Sequence, residues 1–298
     1  MRILIGVDGS RAADLACELV ASRTWPTGTR VSLFGVTESV DWKEPKPGVA
    51  SPDTTGLEIV LEERAETLRR CGLSVQAGVE LGRPGELLVE RAADWFADLI
   101  VVGSRGLGPI ASAIRGSVSA HLVDHAGCPV LVARSPEATR MLLATDGTAS
   151  SRSIPRVLAG WGNAFRGLPV DILSVAPRDA FVTPWGVGYE DEREATGPDL
   201  VVHEGIAEEV ADEMMELGWH AVAIARAGDP GREIVTAGRE WGADFVVTGS
   251  RGISTLRRLV AGSVAHDVLL HARSSVLVVR GQVPAHIREP APALGALA

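Results

Sequence analysis

The chain has 298 residues, of which 46% are apolar and 22% charged, and its formal net charge is −9. Those proportions are ordinary for a soluble globular protein, and the acidic balance argues against broad binding to nucleic acid or to anionic membranes. No apolar run reaches bilayer-spanning length and no signal-peptide pattern opens the sequence, so no membrane role is expected. The cysteines, Cys17, Cys71 and Cys128, read as reduced thiols of a cytoplasmic protein rather than as a disulfide framework.

In chain order the first half predicts strand 2–7, helix 11–22, strand 30–37, helix 56–71, strand 73–81, helix 84–96, strand 98–103, helix 117–126 and strand 129–134. The second half repeats the alternation, with strands 140–145, 169–176, 219–226, 243–249 and 275–280 and helices 150–160, 199–217, 230–241 and 263–272. Pro84 and Pro230 stand where a helix begins, a position that tolerates a missing N–H. Most strands are continuous apolar runs, the mark of a parallel sheet covered by helices on both faces. Two doubly wound sheets of about five strands each follow from this pattern.

The halves are copies. Gly103-Ser104-Arg105-Gly106, nine residues, then Gly116-Ser117 recurs 146 positions later as Gly249-Ser250-Arg251-Gly252, nine residues, then Gly262-Ser263. The same offset carries Gly82-Arg-Pro-Gly85 onto Gly228-Asp-Pro-Gly231, Trp95, Ala97 and Asp98 onto Trp241, Ala243 and Asp244, and Arg134 onto Arg280. Earlier the offset is 138, from Val7-Asp8-Gly9-Ser10 to Thr145-Asp146-Gly147-Thr148, so the second half has a longer loop, placed at Trp185 to Pro198. A period near half the chain means two similar domains, expected at 1–135 and 139–280, followed by a Pro/Ala-rich tail at 281–298.

In an open parallel sheet the ligand lies at the carboxyl ends of the strands, where the winding reverses. Asp8 and Gly103 end the first and fourth strands of the first half, and Asp146 and Gly249 those of the second. An aspartate beside a glycine loop and a helix start suits a nucleotide, because backbone N–H groups complement phosphate charge. Alternatively the aspartates cap the following helices, and the glycines are simple turns. His121 and His125, one helical turn apart, are read as structural, and Trp95 and Trp241 as core residues.

No G-K-[ST] follows the glycines and their order is not that of the dinucleotide fingerprint. The spacing G-x2-G-x9-G-[ST] instead resembles the ATP-binding motif of the universal stress protein family. The V-D-G-S end of the first strand, the G-x-P-x-x-x-[LI] start of the third helix and the final C-P-V-L-V or S-V-L-V strand are similar to that family too, over nearly the whole chain, twice. The resemblance implies an α/β fold of two tandem five-stranded parallel-sheet domains, each of strand order 3-2-1-4-5, packed as a pseudo-dimer through strands containing Val130-Leu-Val132 and Val276-Leu-Val278. It places adenine contacts on Asp8 and Val36, and on Asp146 and Val175. Phosphate contacts fall on Gly103, Arg105, Gly106, Gly116, Ser117 and Val118, and on Gly249, Arg251, Gly252, Gly262, Ser263 and Val264. It further implies two ATP per chain with Mg2+, a homodimer, an unidentified regulatory partner and at most slow hydrolysis. An ATPase or nucleotidyl-transfer enzyme, and a nucleotide-independent chaperone-like module, are the other readings.

Overall fold

The computed structural model describes residues 1–37, 54–104, 117–177, 180–183, 186–189, 198–250 and 263–280. The first half runs β1 (Arg2–Val7), α1 (Arg11–Ala21), β2 (Arg30–Thr37), α2 (Thr55–Arg70), β3 (Ser74–Leu81), α3 (Pro84–Asp94), β4 (Leu99–Gly103), α4 (Ser117–His125) and β5 (Val130–Ala133). The second runs β6 (Met141–Thr145), α5 (Ala149–Arg152), α6 (Ile154–Gly160), β7 (Pro169–Pro177), β8 (Ala180–Thr183), β9 (Gly186–Tyr189), α7 (Pro198–Glu216), β10 (His220–Gly228), α8 (Pro230–Glu240), β11 (Phe245–Gly249), α9 (Ser263–His271) and β12 (Ser275–Val279).

Ten strands form one sheet in the order β10-β7-β6-β11-β12-β5-β4-β1-β2-β3. Each half contributes the order 3-2-1-4-5 with parallel neighbours. The halves meet where β12 pairs with β5, antiparallel, with Leu277 opposite Leu131. This is the expected pseudo-dimer, and it covers two edges whose N–H and C=O groups would otherwise be unpaired. Side chains alternate across the strands. Leu131 and Leu277 therefore join the core on the α1, α2, α6 and α7 face, while Val130, Val132, Val276 and Val278 join the core on the other. Both cores run unbroken across the junction.

Two arginines lock that junction reciprocally. Arg134 donates to Leu269 O at 2.5 Å and to Ser274 O at 3.0 Å, at the end of α9. Arg280 donates to Val123 O at 2.7 Å and to Asp124 O, at the end of α4. A cation at the carbonyl end of a helix satisfies orphan acceptors and the helix dipole together. The repeat of Arg134 as Arg280 in the sequence thus has a structural cause. The repeated acids Asp98 and Asp244 are structural too. Asp98 accepts from Arg2 N, and Asp244 accepts from Thr139 N, Thr139 Oγ1 and Arg140 N, at the ends of the strands opposite to Asp8 and Asp146.

Three expectations change. The helix expected over 150–160 is two pieces, α5 and α6, because Pro155 at the start of α6 lacks the N–H that would continue the ladder. The long loop of the second half begins as a hairpin, β8 antiparallel to β9. Trp95 and Trp241 are only half-buried, packing at the rim of one core. Among the described residues the buried indoles are Trp25, Trp161 and Trp219. Trp25 of the first half lies 6.3 Å from Trp161 and 5.9 Å from Phe165 of the second, a contact that spans the halves. Among the described residues no helix is long and apolar enough to cross a membrane.

Candidate functional site

Strand register builds the same crevice twice. Val7 lies beside Gly35 and Gly6 beside Val102, so Asp8, Val36 and Gly103 follow at the carboxyl ends of β1, β2 and β4. In the second half Thr145 lies beside Ser174 and Ala144 beside Thr248, which brings Asp146, Val175 and Gly249 together in the same way. Both sets stand where the winding reverses, between the first and fourth strands. The helices α4 and α9 begin with Ser117 and Ser263, shortly after β4 and β11 in the chain. Val118 and Val264 pack against the core beneath. Arg105, Gly106, Gly116, Arg251, Gly252 and Gly262 lie outside the described residues.

The glycines ending β4 and β11 have a packing reason of their own. A Cβ on Gly103 would stand 2.4 Å from the Ala12 carbonyl carbon, and one on Gly249 3.1 Å from Ser150 Oγ. Helices α1 and α5 thus start directly against the strand ends; at Gly103 only a residue without a side chain permits that approach, and at Gly249 a side chain would make a tight contact.

The aspartates are not helix N-caps. Ser10 caps α1, its hydroxyl accepting from Ala13 N at 3.2 Å, while Asp8 accepts from Ser10 N at 3.0 Å. Asp8 therefore shapes the turn into the helix, with Gly9 at φ +80°. Asp146 is held by three donors. Its Oδ1 accepts from Thr148 N at 3.0 Å, Thr148 Oγ1 at 2.7 Å and Ser151 Oγ at 2.8 Å. Thr145 Oγ1 donates to Ser151 Oγ at 3.1 Å, and Ser150 Oγ donates to Val279 O at 3.2 Å.

Several sequence candidates resolve as structure. His125 and His271 each place Nδ1 2.9 Å from the carbonyl one turn back, that of His121 and of Asp267. Among the described residues no cluster of three or more His, Cys, Asp or Glu could hold a metal. Burial pushes the Cys17 and Cys128 thiols up to about 12, which keeps them protonated and inert. Sequence reasoning missed His203 of α7, whose Nδ1 lies 2.7 Å from Ser174 Oγ of β7. Burial pushes this imidazole below its usual range, against the opposing charges of Asp199 and Asp146. The structure supplies the alignment: Gly72 and Gly218, both at left-handed φ, match α2 to α7 and place Leu57 opposite His203.

Comparison with known proteins settles the class of this doubled architecture. The profile of the universal stress protein family matches residues 1–134 and again residues 138–280. The chain belongs to the universal stress protein family. A universal stress protein of Mycobacterium tuberculosis is 30% identical over 316 residues, spanning 93% of this chain and 96% of that one. A universal stress protein of Thermus aquaticus is 34% identical over 133 residues, which cover 97% of that protein but 44% of this one. Among solved structures, a universal stress protein of Archaeoglobus fulgidus superposes with a TM-score of 0.64 at 18% identity, covering 94% of this chain and 98% of that chain. The one-domain relative matches a single half here, whereas the mycobacterial protein carries the tandem form of universal stress protein throughout.

Proposed function

We propose that each half of the chain binds one adenine nucleotide, two ATP per chain together with Mg2+, and that the protein is a nucleotide-responsive regulator of a stress response. The observation that carries this reading is the recurrence of one crevice, in which a first-strand carboxylate, the end of the second strand and the glycine ending the fourth come together in identical register. Asp8 and Asp146 are acceptors suited to an exocyclic amine, and the main chain at Val36 and Val175 offers the matching strand-end groups. Gly103, Arg105, Gly106, Gly116, Ser117 and Val118, with Gly249, Arg251, Gly252, Gly262, Ser263 and Val264, are assigned to the phosphates. Helix starts and glycine backbone complement such anions. Mg2+ contributes charge neutralisation of the phosphates when bound.

A rapid enzyme needs a base or nucleophile aimed at the reacting phosphorus. The buried thiols are protonated and the His125 and His271 rings are tied to backbone carbonyls, which favours a binding role with at most slow hydrolysis. Pairing into a homodimer, a regulatory protein partner and a cytoplasmic location complete the reading.

Isothermal titration of the purified chain with ATP and Mg2+ is expected to saturate at two equivalents, and mass spectrometry of the denatured protein to find adenine nucleotide carried through purification. Gly116→Val with Gly262→Val is expected to abolish retention with the fold intact. Saturation at one equivalent with no nucleotide carried through, or unchanged nucleotide content in the double variant, refutes the assignment. A turnover assay separates regulator from ATPase, and light scattering tests the homodimer.

A further inference from the structure

The two crevices differ at one coupled pair of positions. In the first half Gly35 of β2 lies under Leu57 of α2, so closely that a Cβ on Gly35 would stand 2.8 Å from Leu57 Cδ2. The matching residues of the second half are Ser174 of β7 and His203 of α7. Ser174 is fully buried, and its hydroxyl lies 2.7 Å from His203 Nδ1. A strand residue and a helix residue have changed together, from a small and an apolar one to a hydroxyl and an imidazole. The pairing has a physical cause, since a buried hydroxyl without a partner is costly.

That bond accounts for one ring nitrogen. The other, Nε2, has no hydrogen-bond partner among the described residues. The ring is half-buried and stands within reach of the Asp146 charge on the β6–α5 loop and the Asp199 charge on its own helix. Helix α7 also closes over that loop, where a Cβ on Gly147 would meet Ile206 Cδ1 at 3.2 Å. Ser174 immediately precedes Val175 and is register partner to Thr145, which immediately precedes Asp146. An imidazole with a spare nitrogen therefore lies next to the two residues assigned to the base, and Leu57 offers nothing comparable in the first half.

We propose that His203 is a specificity-determining residue of the second site, hydrogen-bonding through Nε2 to the nucleoside portion of the bound nucleotide, so that the two sites of one chain are chemically unequal. Ser174 is its positioning residue, fixing the ring through Nδ1. A neutral imidazole offers one donor and one acceptor, and with Nδ1 engaged by a hydroxyl that can act in either sense, Nε2 is able to serve a ring nitrogen or a sugar hydroxyl. The inference rests on the nucleotide reading above and sharpens it.

The test uses the full chain and ATP with Mg2+. Isothermal titration compares the natural chain with the double variant Ser174→Gly, His203→Leu, which imports a pair already packed in the first half. One of the two equivalents is expected to weaken on the order of fivefold while the other keeps its affinity, and His203→Asn is expected to recover part of the loss. Nitrogen NMR on the natural chain supplies a second readout: the His203 Nε2 resonance shifts as ATP saturates. Two equivalents of unaltered affinity in the double variant, or an Nε2 resonance that ATP leaves in place, overturns the role of His203 and leaves nucleotide binding standing. A natural chain that binds no ATP removes the nucleotide reading, and this inference with it.

Discussion

Along the crevice of Asp8 the first half places Val7, Ala12, Ala13, Gly35 and Leu57, while along that of Asp146 the second places Thr145, Ser150, Ser151, Ser174 and His203. Strand order and register are the same in both. The backbone frame is held by strands such as Ile3-Leu4-Ile5 and Met141-Leu142-Leu143, all fully buried, so the residues lining the crevice are free to vary. Two of the differences come in pairs, Thr145 with Ser151 and Ser174 with His203. Thr145, Ser151 and Asp146 bond in a chain, Ser150 bonds Val279 O, and Ser174 bonds His203. A polar group brought into a dry place requires its partner at the same time, and duplication with drift has therefore produced one apolar and one polar version of a single frame.

The largest effect tests whether the frame is symmetric at its centre. Leu131→Ala and Leu277→Ala each remove a fully buried side chain from the same register pair. Each is expected to cost about 2–5 kcal/mol in urea denaturation, with the double variant departing from additivity because the two positions pair. A large inequality between the single variants breaks the symmetry. Next in size, Asp8→Ala and Asp146→Ala are each expected to remove one equivalent of nucleotide, by a loss of about 1.5–3 kcal/mol in binding, leaving the other equivalent intact in calorimetry. Loss of both equivalents from either variant shows that the sites are not independent.

Gly35→Ser sharpens the comparison of the linings. The new Cβ would crowd Leu57 at 2.8 Å and its hydroxyl would enter an apolar niche without an imidazole, at an expected cost of about 1–3 kcal/mol. Adding Leu57→His is expected to recover part of it, and no recovery sinks the argument for coupled replacement. A smaller effect lies at the turn before β4. Phe96 is 74% exposed and adopts φ +51°, where the second half has Gly242 at φ +65°. Phe96→Gly is expected to stabilise the chain by about 1 kcal/mol, read as a raised melting temperature.

Acidification gives the gentlest signal. Burial lowers the folded-state affinity for protons of His203, and burial followed by the charge of His125 does so for His121. With folded values below the unfolded value of about 6.5, the unfolded chain binds protons more readily. Stability is thus full at pH 8 and declines as pH falls through the unfolded value toward the folded ones. Melting curves from pH 8 to pH 5 are expected to show this slope, and His203→Leu to reduce it. A slope unchanged by that variant assigns it elsewhere.

Much of this was legible in the chain. The Asp8–Asp146 repeat marked the strand ends that the structure sets beside Gly103 and Gly249, and the pairing of the final strands followed from the strand order that the family resemblance implies, which leaves an edge that needs covering. The Ser174–His203 pair was not legible. The insertion between β7 and α7 changes the repeat offset within that very stretch, so Leu57 and His203 align only once the two left-handed glycines fix the helix ends. Trp95 and Trp241 misled for a different reason. A repeated indole marks a repeated place in the fold, and that place is a half-buried rim.

The sequence by itself determined the duplicated α/β units, the apolar strands and the residues at strand ends, because periodicity, glycines and prolines act over a few neighbours. Only the tertiary structure decided which repeated residues serve packing. Arg134 and Arg280 cap helices of the opposite half, Asp98 and Asp244 receive backbone N–H groups, and Gly103 admits the start of α1. It alone decided that His203 meets Ser174, since a hydrogen bond between residues 29 positions apart exists only once helix and strand are packed together.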